Sequence, residues 1–173
     1  RTRILSDYTP RKTEQREERA KNTAPTHGIT YKNIGGLDDT IFKLDLMING
    51  AKMYPEIWKK LGYKRTRGIL LSGPPGGGKT LLAQALAYET GRKSYLVQGS
   101  EVKSWKQGAS EENLRNAYKS VQPNGILIID ELDAIAGNRA QMVNETNISV
   151  VGTLLSLLDG AKDKDNVIII GTT

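Results

Sequence analysis

Gly73-Pro74-Pro75-Gly76-Gly77-Gly78-Lys79-Thr80 follows the apolar run Ile69-Leu70-Leu71 and opens a longer one, Leu81-Leu82-Ala83-Gln84-Ala85-Leu86. The short run reads as a buried strand and the long one as a helix, so the glycines fall at a strand-to-helix turn. There they let successive backbone N–H groups face one point, and the helix N-terminus adds partial positive charge. Lys79 and Thr80 stand at that end, an ammonium for phosphate and a hydroxyl for magnesium. The spacing G-x-x-x-x-G-K-T is that of a phosphate-binding P-loop, with Gly76, Gly77 and Gly78 as the backbone cradle.

Ile126-Leu127-Ile128-Ile129 is a second continuous apolar run, rich in β-branched residues, and it ends abruptly in Asp130-Glu131. It reads as a parallel strand covered on both faces. Two carboxylates at the end of such a strand are costly to bury unpaired, so a cationic or polar group is expected to face them. A magnesium ion beside the P-loop meets that need, with Asp130 on the metal side and Thr80 as its hydroxyl ligand. Glu131, one residue on, points elsewhere and is suited to polarise a water against a γ-phosphate.

The composition limits the alternatives. At 38% hydrophobic residues, 173 positions supply one core rather than two large ones. The chain contains no cysteine, which excludes disulfides and thiol chemistry, and the single His27 cannot make a histidine metal site alone. No apolar run approaches the roughly 18–20 residues of a membrane span, and no hydrophobic signal core follows Arg1 and Arg3. A soluble, cytoplasmic chain is the expectation. The net charge of +6 is spread among acids without an aromatic-interleaved basic motif, so direct nucleic-acid binding is not expected.

Residues 1–27 mix Arg11, Arg16, Arg19 and Lys21 with Glu14, Glu17 and Glu18, contain Pro10 and Pro25, and show almost no apolar periodicity. They read as a flexible linker or tail. From Leu37, apolar residues at Ile41, Leu44, Ile48 and Ala51 mark one face of a helix capped near Asp38 or Asp39. Beyond the P-loop helix, Gly91 supplies a C-cap, Tyr95-Leu96-Val97 a strand, Glu111 to Val121 a helix, and Val167 to Ile170 a strand after a helix ending near Asp159. The order βαβαβαβ predicts an α/β fold, a parallel sheet with helices on both faces and its ligand beyond the strands' carboxyl ends.

The residues resemble the AAA ATPases, in particular the branch of valosin-containing protein and N-ethylmaleimide-sensitive fusion protein. The likeness runs from Tyr31-Lys32-Asn33-Ile34-Gly35-Gly36-Leu37 through Arg67-Gly68-Ile69-Leu70-Leu71 and Gly99-Ser100-Glu101. It continues in Ile129-Asp130-Glu131-Leu132-Asp133-Ala134-Ile135-Ala136, Leu154 to Gly160 and Val167 to Thr173. The resemblance implies that residues 28–173 are the N-terminal part of the large α/β nucleotide-binding subdomain, incomplete at its C-terminus. It implies ATP or ADP with Mg2+ as ligands, contacts from Pro75, Lys79, Thr80 and Leu81, and an adenine lying against Asn33 and Gly35. Asn33 stands where an aspartate is common. Lys79 and Glu131 take the catalytic positions.

The loop around Trp105 and Lys106 falls where the family's pore loop grips extended polypeptide, although aligned from Gly108 the aromatic comes one place early. The resemblance also implies a hexameric ring with protein substrates and adaptors. Protein unfolding, SNARE disassembly, or a nucleotide-binding scaffold without turnover are the uses it leaves open. The sequence ends at Thr173, one residue before the asparagine that usually senses the γ-phosphate. The arginine finger and a fifth strand lie farther on in the family, so weak turnover and an unpaired edge at the strand Gly68 to Ser72 are expected.

Overall fold

The computed structural model describes residues 28–104, 109–136, 145–160 and 166–173. Four parallel strands form one sheet: β1 (Gly68–Leu71), β2 (Ser94–Gln98), β3 (Ile126–Asp130) and β4 (Ile168–Thr172). Their spatial order is β1-β4-β3-β2. The last strand in the chain is therefore inserted between the first and the third, with Leu71 opposite Thr172 and Ile129 opposite Gly171.

The apolar runs of β3 and β4 behave as strands covered on both sides. Ile69-Leu70-Leu71, read from the sequence as buried, is only half covered, because β1 has a neighbour on one edge alone. In β3, Ile126 and Ile128 pack with Ile168 and Ile170 of β4 on one face, against Leu44 and Ile48 of helix α1 (Asp38–Met53) and Leu82, Ala83 and Leu86. Leu127, Ile129 and Ile169 point to the opposite face, where Leu114, Tyr118 and Leu154 meet them. Successive strand residues alternate sides, so an unbroken apolar run is what two helical layers require. Burying each branched side chain contributes about 1.5–3 kcal/mol.

Helix α1 is followed by the short α2 (Pro55–Lys60), and α3 (Lys79–Glu89) leads out of the P-loop. The other face of the sheet carries α4 (Gly99–Ser104), α5 (Ala109–Ser120), α6 (Leu132–Ala136) and α7 (Glu145–Gly160). The expected stripe of α1 is present, with Leu44 and Ile48 buried and Ile41 packed at the edge of the same cluster. Its cap differs from expectation: Leu37 is the N-cap residue and makes no side-chain cap bond. Asp38 and Asp39 occupy the first turn instead, where carboxylates favour the positive end of the helix dipole.

The strand β4 runs farther than its apolar residues, to Thr172, because pairing with β1 continues to Leu71. The strand β1 lies at the sheet edge, and Leu70 is 59% exposed there. At the opposite end of the sheet, one guanidinium nitrogen of Arg92 donates to the carbonyls of Asn124, at 3.2 Å, and Asn166, at 3.0 Å. Burial first, and the nearby Arg65 second, pull the Arg92 guanidinium below its ordinary pKa. No described helix is long and apolar enough to cross a membrane.

Candidate nucleotide-binding site

The sheet order brings the carboxyl ends of β1, β4 and β3 side by side, and the P-loop leaves the first of them. Gly76 and Gly78 adopt left-handed φ values of 78° and 75°, a region that side chains disfavour. Gly78 is the N-cap of α3, and the first helical bond is donated by Leu82 N–H to its carbonyl at 2.8 Å. The N–H groups of Gly78, Lys79, Thr80 and Leu81 precede that first bond and are the open end of the helix, as an anion site requires, while the Gly77 N–H donates to the Pro74 carbonyl at 3.3 Å. The loop from Gly73 to Gly77 is exposed.

Lys79 folds back over this loop. Its ammonium donates to the carbonyl oxygens of Gly73 and Pro74, both at 2.8 Å. The cation is thus held at the mouth of the cradle by neutral acceptors, partners that a phosphate oxygen can replace with a stronger charge-assisted bond.

Thr80 Oγ1 donates to Asp130 Oδ1 at 2.7 Å. The expected polar group facing the carboxylate is thus a hydroxyl from the P-loop helix, and a second one joins it. Thr172, at the end of β4, also donates its hydroxyl to Asp130 Oδ1, and it accepts the N–H of Glu131 at 3.2 Å. Sequence reading assigned Thr172 no role. The available signal was a polar residue closing an isoleucine-rich strand, but its partner depends on which strand lies alongside.

Glu131 is exposed and left-handed, with φ 53°, so the chain turns sharply where the carboxylate pair sits. Its carbonyl accepts Ala134 N–H at 2.9 Å as α6 begins. Gly99 lies beside this turn, where an added Cβ would stand 2.3 Å from the Glu131 carbonyl oxygen. Glycine is required at that position by close backbone approach.

Asn33 belongs to a 3-10 turn (Tyr31–Asn33). Its side-chain oxygen accepts from the N–H of Thr30 at 2.9 Å and from the Thr30 hydroxyl at 3.1 Å. The asparagine side chain closes its own turn, and the adjacent Tyr31 N–H donates to Glu89, on α3, at 3.3 Å. Gly35 has nothing within 4 Å of an added Cβ. Pro75 is exposed in the loop and Leu81 half-buried in the first turn of α3. Trp105 and Lys106 lie outside the described residues, as do residues 1–27.

The donor set suits a hard cation. Thr80 and Asp130 offer oxygen only, and no cluster of three or more His, Cys, Asp or Glu side chains stands among the described residues. Magnesium is ordinarily held by one or two protein oxygens together with phosphate oxygens rather than by an all-protein cage.

A cradle of N–H groups, a lysine at its mouth and a hydroxyl–carboxylate pair beside it define a P-loop nucleotide-binding protein. Residues 69–173 match the ATPase family associated with various cellular activities (AAA), and the chain belongs to that family. It is 40% identical over 148 residues to protein CdcH of Halobacterium salinarum, a match that covers 84% of this chain and 20% of that protein. The chain thus spans about a fifth of the length of the curated relative it matches. ATP binding and hydrolysis are the chemistry of the family.

Proposed function

We propose that this chain forms the nucleotide-binding part of a MgATP hydrolase whose assembled parent acts on other proteins. The observation that carries the reading is the 2.7 Å bond between Thr80, on the P-loop helix, and Asp130, at the end of β3. It places a hydroxyl and a carboxylate together beside an N–H cradle, which a nucleoside triphosphate with a divalent ion uses and a neutral ligand does not.

In this reading Gly76, Gly77 and Gly78 hold phosphate through backbone N–H groups, that of Gly77 giving up its bond to the Pro74 carbonyl, with Pro75 and Leu81 flanking them. Lys79 exchanges the Gly73 and Pro74 carbonyls for β- and γ-phosphate oxygens. Thr80 and Asp130 hold Mg2+, which when bound neutralises charge developing on the transferred phosphoryl group. Glu131 orients the attacking water from its exposed position at the strand end. The adenine rests against the backbone of Asn33 and Gly35, because the Asn33 side chain is engaged with Thr30.

Residues 28–173 form part of the large α/β subdomain, and residues 1–27 a linker to it. The assembly is a hexameric ring in the cytoplasm that unfolds or disassembles protein complexes with adaptors, Trp105 and Lys106 contacting the substrate. The resemblance to the valosin-containing protein branch supports that part. SNARE disassembly is the second reading, favoured by the stretch Tyr54-Pro55-Glu56-Ile57.

The test is equilibrium binding of ATP and ADP with magnesium to this polypeptide and to Lys79→Ala, with phosphate release followed in the same samples. Lys79-dependent binding is the expected result. Binding that Lys79→Ala leaves untouched, or no binding at all, overturns the assignment of the site.

A further inference from the structure

The Asp130 carboxylate accepts two hydroxyl hydrogen bonds on the same oxygen, one from Thr80 and one from Thr172. The two threonines differ in what their oxygens still offer. Thr172 is 2% exposed, and its hydroxyl donates to Asp130 and accepts Glu131 N–H. Thr80 is half-buried at the P-loop, and among the described residues no donor is bonded to its oxygen. Thr80 therefore has both lone pairs free toward the loop for a cation, whereas burial and the Glu131 N–H leave Thr172 to orient its neighbours.

The backbone shows why orientation is needed. The β3–β4 register ends at Ile129 opposite Gly171, one residue short of Asp130. At Glu131 the chain turns into the left-handed region. Beyond the end of the ladder the Glu131 N–H has lost its place in the sheet, and the Thr172 side chain supplies the acceptor that a strand carbonyl otherwise provides. One hydroxyl thus ties the turn and the carboxylate to β4 together.

We propose that Thr172 is a positioning residue for cation recruitment: lodged at the β3–β4 junction, it fixes the Asp130 carboxylate and the Glu131 turn in the arrangement that Thr80 meets. It sets how strongly a bound nucleotide recruits its divalent ion. The inference rests on the nucleotide reading of the site. Partners that orient a metal-holding carboxylate commonly contribute about 10- to 100-fold in metal affinity.

The experiment uses Mn2+ as a paramagnetic probe, titrated against the full chain saturated with ADP, with free Mn2+ read by electron paramagnetic resonance. Thr172→Val keeps the shape of the side chain and removes both hydrogen bonds, and Thr172→Ser restores the hydroxyl. Metal-free ADP affinity is measured for each in EDTA. The expected result is Mn2+ affinity about tenfold weaker in Thr172→Val, recovery in Thr172→Ser, and the same metal-free ADP affinity throughout.

Unchanged Mn2+ affinity in Thr172→Val overturns the proposal, and so does a loss of metal-free ADP affinity equal to the loss for Mn2+, which marks general disruption. Thr172→Ala, which leaves space rather than a buried methyl group, takes the place of the valine variant should that one not fold. The two readings fail separately. Wild-type protein without Lys79-dependent ADP binding ends both, whereas wild-type binding with an indifferent valine variant ends only the role of Thr172.

Discussion

Thr80 and Asp130, fifty residues apart in sequence, meet across 2.7 Å between the first turn of the P-loop helix and the end of β3. The bond joins the two motifs that sequence reading found separately. It also ties the first strand-turn-helix unit to the middle of the sheet, so the site and the fold share a fastening point.

Lys79→Ala is expected to weaken ATP binding by about 30- to 100-fold, the equivalent of losing one charge-assisted interaction of roughly 2–3 kcal/mol. Folding should change little, because the lysine bonds to carbonyls of an exposed loop. Isothermal titration beside a thermal melt checks both halves.

Thr80→Ala removes a donor to Asp130 and an oxygen for the cation together. ATP affinity in magnesium should fall by about tenfold or more, while affinity in EDTA stays near that of the wild type. Equal losses with and without the metal would place Thr80 outside the cation site.

Glu131→Gln keeps the size of the side chain and removes its basicity. On the proposed MgATP hydrolase reading, binding should persist and hydrolysis fall by about 10²- to 10⁴-fold, the usual worth of a general base. Rapid-quench measurement of phosphate release decides it, and unimpaired turnover would remove Glu131 from the mechanism.

Gly99→Ala places a methyl group where only 2.3 Å separates it from the Glu131 carbonyl oxygen. A backbone neighbour cannot rotate away, so about 1–3 kcal/mol of stability should be lost, together with part of the nucleotide affinity. Urea unfolding and ATP titration of the variant test the two effects.

Arg92→Met keeps the apolar stem and removes the two bonds to the Asn124 and Asn166 carbonyls. Those turns enter β3 and β4 at the end of the sheet far from the P-loop. A loss of about 1–3 kcal/mol in urea unfolding is expected, with nucleotide affinity unaltered.

Local pattern carried much of this protein. The glycine spacing before Lys79-Thr80, the run Ile126 to Ile129 ending in Asp130, and the alternation of strand and helix periods each follow from neighbours in sequence, and together they gave the parallel α/β class and named Lys79, Thr80, Asp130 and Glu131 as candidate site residues. The N-terminal cap of α1 was less legible. Asp38 and Asp39 both have capping chemistry, yet the cap falls on Leu37, whose side chain packs against the core cluster of α1 and the sheet.

The tertiary structure alone decided that β4, last in the chain, lies between β1 and β3. Hydrophobic periodicity states that a strand is covered on both faces and is silent on which strands flank it, because strand order is set by the packing of the crossover helices. From that order follow the exposed edge at β1 and the meeting of Thr172 with Asp130. Sequence alone supplied the candidate residues of the two motifs, though not Thr172. The geometry of the site waited on long-range pairing, since a hydroxyl acquires a role only from the residue that folding sets beside it.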